Sequence, residues 1–238
     1  MSTLPDVPDF TTALVVAAHP DDIEYGLAAA VARWTGEGRT ITYLLVTHGE
    51  AGIDSMDPTE AAVVRAQEER DGAVEVGVDV VDFLDHQDGV VEYGLPLRRD
   101  IARVVRARRP DAVFALTHRE RFAGGGTNQA DHRAAGLATL DAVRDAGNRW
   151  VFPELNSEEE PWGGVRFVAF ANPPEPTHAV DVTGHLDAAV ASLEAHDRYL
   201  SALGPDYPTP RELLTGILTG GGRGSGTEHG VAFEVFEV

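Results

Sequence analysis

Cysteine and lysine are both absent from this chain of 238 residues. The lack of cysteine excludes disulfides, thiolate ligands and a thiol nucleophile, so any bound metal must be held by His, Asp or Glu. The lack of lysine leaves arginine as the basic side chain, with 19 basic residues against 39 acidic ones and a formal net charge of −20. At long range such a surface repels polyanions, which argues against nucleic acid or an anionic membrane as partner. No segment reaches the roughly 20 consecutive apolar residues needed to cross a bilayer. Residues 1–10 carry neither the basic nor the apolar region of an export signal. The expectation is a soluble, cytoplasmic protein with no membrane insertion. Charge alone leaves a homo-oligomer open, because an apolar patch can still self-associate.

A hydrophobic content of 43% supports a full core, and the length fits one α/β domain over residues 1–238. Leu14 to Ala18 reads as a strand buried on both faces, and Ile23 to Trp34 as an amphipathic helix ending at Gly36. Thr40 to Thr47 is a second strand. Asp57-Pro58-Thr59-Glu60 opens a helix with a capping residue, a first-turn proline and an acidic residue able to reach back. Val80–Leu84, Ala112–Leu116, Phe167–Ala171 and Ala179–Val182 read as further strands, and Val231–Val238 as a terminal one. Helices are predicted from Pro96 to Arg109, from Asp131 to Ala146 and from Leu186 to Leu200. The arginines 98, 99, 103, 106, 108 and 109 read as the solvated face of their helix. Gly124–Gly126 suggests a lid, and residues 220–226 a flexible Gly-rich linker. No Lys-Ser/Thr follows that glycine run, so it is not a phosphate-binding loop.

Strand alternating with helix predicts a mostly parallel sheet with helices on both faces. Ligands of such sheets bind outside the carboxyl ends of the strands. His19, Asp21 and Asp22 follow the first strand there. His19 and Asp22 are three apart around Pro20, a spacing that lets both face one point. A catalytic zinc site commonly uses three protein ligands and leaves a position open. His132, at the start of a helix following another strand, is a candidate third. Asp21 would then stand beside the metal, free to take a proton. The same string also serves as a capped turn, with Asp21 or Asp22 as the N-cap.

Ala18-His19-Pro20-Asp21-Asp22 with Glu24 and Gly26, Thr47-His48-Gly49-Glu50-Ala51-Gly52, Arg65 with Glu68, Asp88-Gly89, and Asp131-His132-Arg133 occur in one order. Together they resemble the PIG-L/LmbE-like family of metal-dependent N-acetylglucosaminyl deacetylases, over about residues 12–198. The resemblance implies a Rossmann-like three-layer fold without a dinucleotide. It also implies removal of an acyl group, usually acetyl, from an amino-sugar conjugate with Zn2+ or another divalent ion such as Fe2+. His19, Asp22 and His132 become the metal ligands and Asp21 the general base, while Glu50, Arg65 and Asp88 lie near the sugar. Bland roles compete for two of these: Arg65 pairing with Glu68 or Glu69 on a helix surface, and Asp88 serving its turn.

Two stretches depart from the family pattern. Gln129 stands where many members carry a histidine; it can donate a hydrogen bond to an oxyanion but cannot deliver a proton. Asp21 is the first substitute as acid, and Asp131 is expected to orient His132. In Glu194-Ala195-His196-Asp197-Arg198 the last two residues replace a frequent Ser-Gln, and His196 reads as a packed histidine rather than a substrate contact. Rival readings are an amidase acting on another sugar or thiol-sugar conjugate, and a metal- or sugar-binding homologue that has lost turnover.

Overall fold

Ala13 to Ala17 are all buried, a pattern that requires a strand covered on both faces. This strand, β1 (Thr12–Ala17), lies inside a seven-stranded sheet with β2 (Thr40–Leu45), β3 (Val81–Phe83), β4 (Ala112–Leu116), β5 (Phe167–Ala171), β6 (His178–Asp181) and β7 (Gly230–Glu237). The order is β3-β2-β1-β4-β5-β7-β6. The first five strands pair in parallel, and β7 runs antiparallel to both β5 and β6. The computed structural model describes residues 3–238; Met1 and Ser2, which open the segment read for an export signal, lie outside them.

Helices cover both faces. Leu14 and Val16 pack into the apolar cluster closed by α4 (Leu95–Arg108) and α5 (Ala130–Gly147). Val15 and Ala17 join the opposite cluster, with α2 (Ala28–Gly36), α6 (Leu186–Glu194) and α8 (Pro210–Ser225). The result is the predicted three-layer α/β fold. Chain order reverses between β1 and β4, and this opens a crevice at their carboxyl ends. No helix among the described residues is long and apolar enough to cross a membrane.

Several expectations are corrected. Residues 220–226 are not a flexible linker, because α8 continues to Ser225. A Cβ at Gly221 would overlap the Gly230 carbonyl, and one at Gly222 would lie 2.6 Å from the Thr227 carbonyl oxygen. These glycines let the helix end lie directly on the entry to β7. The helix expected from Ile23 to Trp34 is two, α1 (Asp22–Gly26) and α2, parted at Leu27 with φ −135°. The helix from Leu186 to Leu200 likewise breaks into α6 and α7 (Asp197–Ala202), with His196 at the break. Among the arginines of α4, Arg106 is fully buried rather than solvated. It donates to the carbonyls of Ala146, Asn148 and Val151 and to Asn156 Oδ1.

Candidate active site

The turn after β1 is built around Asp22. Its Oδ2 accepts the backbone N–H groups of Ala18 (3.1 Å) and His19 (2.9 Å), folding the chain so that carboxylate and imidazole meet. The second motif is tied to the first through Thr47, whose N–H and hydroxyl both donate to the Ala18 carbonyl. His132 enters from the first turn of α5. One donor atom from each of His19, Asp22 and His132 lies within 4.8 Å of the others, and all three residues are buried.

Asn128 fixes how His132 faces this group. Its side-chain Nδ2 donates to the carbonyls of Thr117 and Arg119, which leaves Oδ1 to accept from His132 Nδ1 at 2.9 Å. His132 Nε2 therefore presents a lone pair 2.9 Å from Asp22 Oδ1, and it has no hydrogen-bond partner of good geometry. Two buried lone pairs at that distance repel unless a proton or metal ion stands between them. The donor set of two imidazoles and one carboxylate suits zinc and related divalent ions.

His19 is enclosed by carboxylates. Its Nδ1 is 3.5 Å from Asp22 Oδ2, and its Nε2 is 3.1 Å from Asp88 Oδ1 and 3.2 Å from Asp131 Oδ2. Burial alone would press this imidazole down, but Asp22, Asp131 and Asp88 raise its pKa to about 12. For Asp22, burial acts upward and is overcome by His132 and His19, which hold it well below the usual carboxylate range. Asp131 does not orient His132 as expected. Its carboxylate meets His19 and accepts the N–H groups of Gly89 (2.7 Å) and Val91 (3.2 Å). Asp88 accepts from Ala51 N–H, and its own N–H donates to Glu50 Oε1. Both acids of the predicted sugar-binding set thus belong to one hydrogen-bonded loop against His19.

Asp21 is buried, with Oδ1 3.0 Å from Arg65 Nη2. Arg65 also donates to the carbonyls of Pro20 and Gly49, and its guanidinium lies 4.1 Å from the centre of the Tyr199 ring. Arg65 is 2% exposed, so it is neither a surface partner of Glu68 nor an open sugar contact. It braces Asp21. Burial raises the Asp21 pKa to about 6, with Arg65 opposing and Asp22 reinforcing the rise. Gln129 precedes α5 in an extended conformation, is exposed and makes no capping hydrogen bond. The glycine loop before it forms a small hairpin, bridged between Arg121 and Thr127. From that hairpin the Phe122 ring lies 6.1 Å from the His132 ring.

Sequence reasoning missed Asn128, Tyr199 and the contact of Glu69 with Asp21. Asn128 precedes His132 by one helical turn, a spacing that permits the bond, but an Asn at a helix start has many other uses. Tyr199 and Glu69 carry no local signal, because their contacts are made across the fold.

A family model described as PIG-L, GlcNAc-PI de-N-acetylase, matches residues 14–143. The chain is 28% identical over 195 residues to diacetylchitobiose deacetylase of Thermococcus kodakarensis, covering 79% of this chain and 70% of that one. The solved N,N'-diacetylchitobiose deacetylase of Pyrococcus horikoshii superposes with a TM-score of 0.85 at 23% identity, over 96% of this chain and 84% of that one. GalB, the 4-carboxy-2-hydroxymuconate hydratase of Pseudomonas putida, superposes at 0.74 with 17% identity, over 94% and 95%. At such identities the two superpositions show a shared fold. The chain spans 70%, 58%, 67% and 61% of the length of four curated relatives it matches.

Proposed function

Because this chain belongs to the PIG-L, GlcNAc-PI de-N-acetylase family, we propose that it is a metal-dependent hydrolase removing an N-acetyl group from an amino-sugar conjugate. The observation that carries this reading is the meeting of His132 Nε2 and Asp22 Oδ1 as two buried acceptors beside His19, with Asp21 held next to them. His19, Asp22 and His132 would hold the ion, zinc or another divalent metal such as Fe2+. When bound, it supplies a Lewis acid that polarises an acyl oxygen and lowers the pKa of water.

The chain's own groups carry the rest. Asp131 and Asp88 hold His19 through Nε2 and so direct its Nδ1 to the site. Asp21 accepts the proton of the attacking water as the new C–O bond forms. Gln129, at the lip before α5, offers an N–H donor to the oxyanion. As the C–N bond breaks, Asp21 passes its proton to the leaving nitrogen, and the products are acetate and a free amine. Asp21 thereby serves as both base and acid, and Arg65 keeps its carboxylate in place throughout.

The test is a mass-spectrometric screen of N-acetylated sugar conjugates together with metal analysis. Asp21→Ala is expected to lower kcat by about 10²- to 10⁴-fold with its metal retained. Asp22→Ala is expected to lose the metal. Full amidase activity in Asp21→Ala, or no divalent ion retained after reconstitution, sinks the reading. The exposure of Gln129 favours a second reading, a sugar-binding homologue without turnover; tight binding with no product over long incubation selects it.

A further inference from the structure

Asp21 adopts φ +92°, in the left-handed region that a non-glycine residue enters only at a cost. Its side chain is held by Arg65, and its backbone is held separately. The Asp21 N–H donates to Glu69 Oε2 at 3.0 Å, a contact between wholly buried groups. Arg65 and Glu69 are one turn apart on α3 (Pro58–Glu75), so a single helix face grips both ends of the same residue.

Behind Glu69 stands a closed set of polar groups. His196 Nε2 lies 3.8 Å from Glu69 Oε2 and 3.6 Å from Glu24 Oε2, and all three side chains are fully enclosed. Ser192 Oγ donates to Glu24 Oε1 at 3.0 Å. Gly72, on the same helix as Glu69, allows the approach: a Cβ there would lie 2.8 Å from the Ser192 carbonyl oxygen and 3.3 Å from His196 Nε2. Three ionisable side chains in the core are expensive unless they hold something. Here the outward end of the cluster is the Asp21 amide.

We propose that Glu69, backed by Glu24 and His196, is a positioning residue that clamps the Asp21 backbone in its left-handed turn and so aims the Asp21 carboxylate at the metal ligands. This rests on the assignment of Asp21 as the proton acceptor. The clamp acts through one accepted hydrogen bond, so Gln in place of Glu69 preserves it and an apolar residue of the same length abolishes it.

Two readouts test this, backbone amide hydrogen exchange and turnover of N,N'-diacetylchitobiose, each on the metal-loaded protein. In the wild type the Asp21 amide is expected to be protected. Glu69→Met is expected to speed its exchange by roughly 100-fold and to lower kcat by about 100-fold, as a displacement of about 1 Å can. KM and metal content should stay unchanged, and Glu69→Gln should restore both readouts to near the wild-type level. An unprotected Asp21 amide in the wild type overturns the proposal even if Glu69→Met does not fold. So does Glu69→Met with unaltered exchange and kcat. If His196→Gln removes a metal equivalent that His132→Ala leaves bound, the cluster is a second metal site and the clamp is again overturned. A wild type with a protected amide and no N-acetyl sugar turnover removes the functional reading while the backbone clamp stands.

Discussion

Asn128 decides which nitrogen of His132 carries the proton. Its own amide orientation is forced by two carbonyls, so His132 Nδ1 must donate and Nε2 must face Asp22. Asn128→Ala is therefore expected to weaken divalent metal affinity by about 10- to 100-fold, read by competition with a chromophoric chelator, while the fold persists by circular dichroism. An unchanged affinity would show that the ring is held by other contacts. Asp131 does the corresponding work for His19, although it neighbours His132 in sequence. Adjacent residues at a helix start project at roughly 100° to each other, so an acid beside one imidazole readily serves another. The residue types of the candidate site were legible, since His19-Pro20-Asp21-Asp22 and Asp131-His132 bring histidine and carboxylates to strand and helix ends. Which acid holds which imidazole was not, because that depends on loops brought together across the sheet.

At the scale of elements, the strands β4 and β5 begin and end where their apolar runs do. Both are buried on every residue, and no solvent-facing alternation blurs their ends. Helices were harder to read where packing overrides local pattern. Arg106 sits among solvent-facing arginines, yet its guanidinium closes the carbonyl end of α5 and the turn after it. Those carbonyls have no helical partner of their own. Arg106→Met keeps the stem and removes the donors, and is expected to cost roughly 2–4 kcal/mol in urea unfolding. Arg99→Met, on the half-exposed side of the same helix, is expected to cost under about 0.5 kcal/mol. Equal effects would mean that the buried bonds add nothing. The glycines of α8 make the same point from the other side, since a composition typical of a linker is used to bring a helix end onto a strand.

For the whole molecule, the charge of −20 sets the response to salt. Self-repulsion of the compact state is screened as the Debye length shrinks from about 30 Å at 0.01 M to a few ångströms near 1 M. Raising NaCl across that range is expected to raise Tm; a gain of about 1 kcal/mol corresponds to roughly 2–4 °C, followed by calorimetry. A falling Tm would mean that surface ion pairs such as Arg108 with Asp82 outweigh the net repulsion. The sequence by itself determined the α/β layering, because uninterrupted apolar strands between amphipathic helices can bury their faces only in a covered parallel sheet. It also determined the short list of residues able to bind a metal, because without cysteine the choice narrows to His and acids at strand ends. Tertiary structure alone decided how those residues divide their work. The β1–β4 reversal brings His132 to Asp22, and α3 brings Arg65 and Glu69 to Asp21. Such contacts depend on distances between elements far apart in the chain, and no local periodicity encodes them.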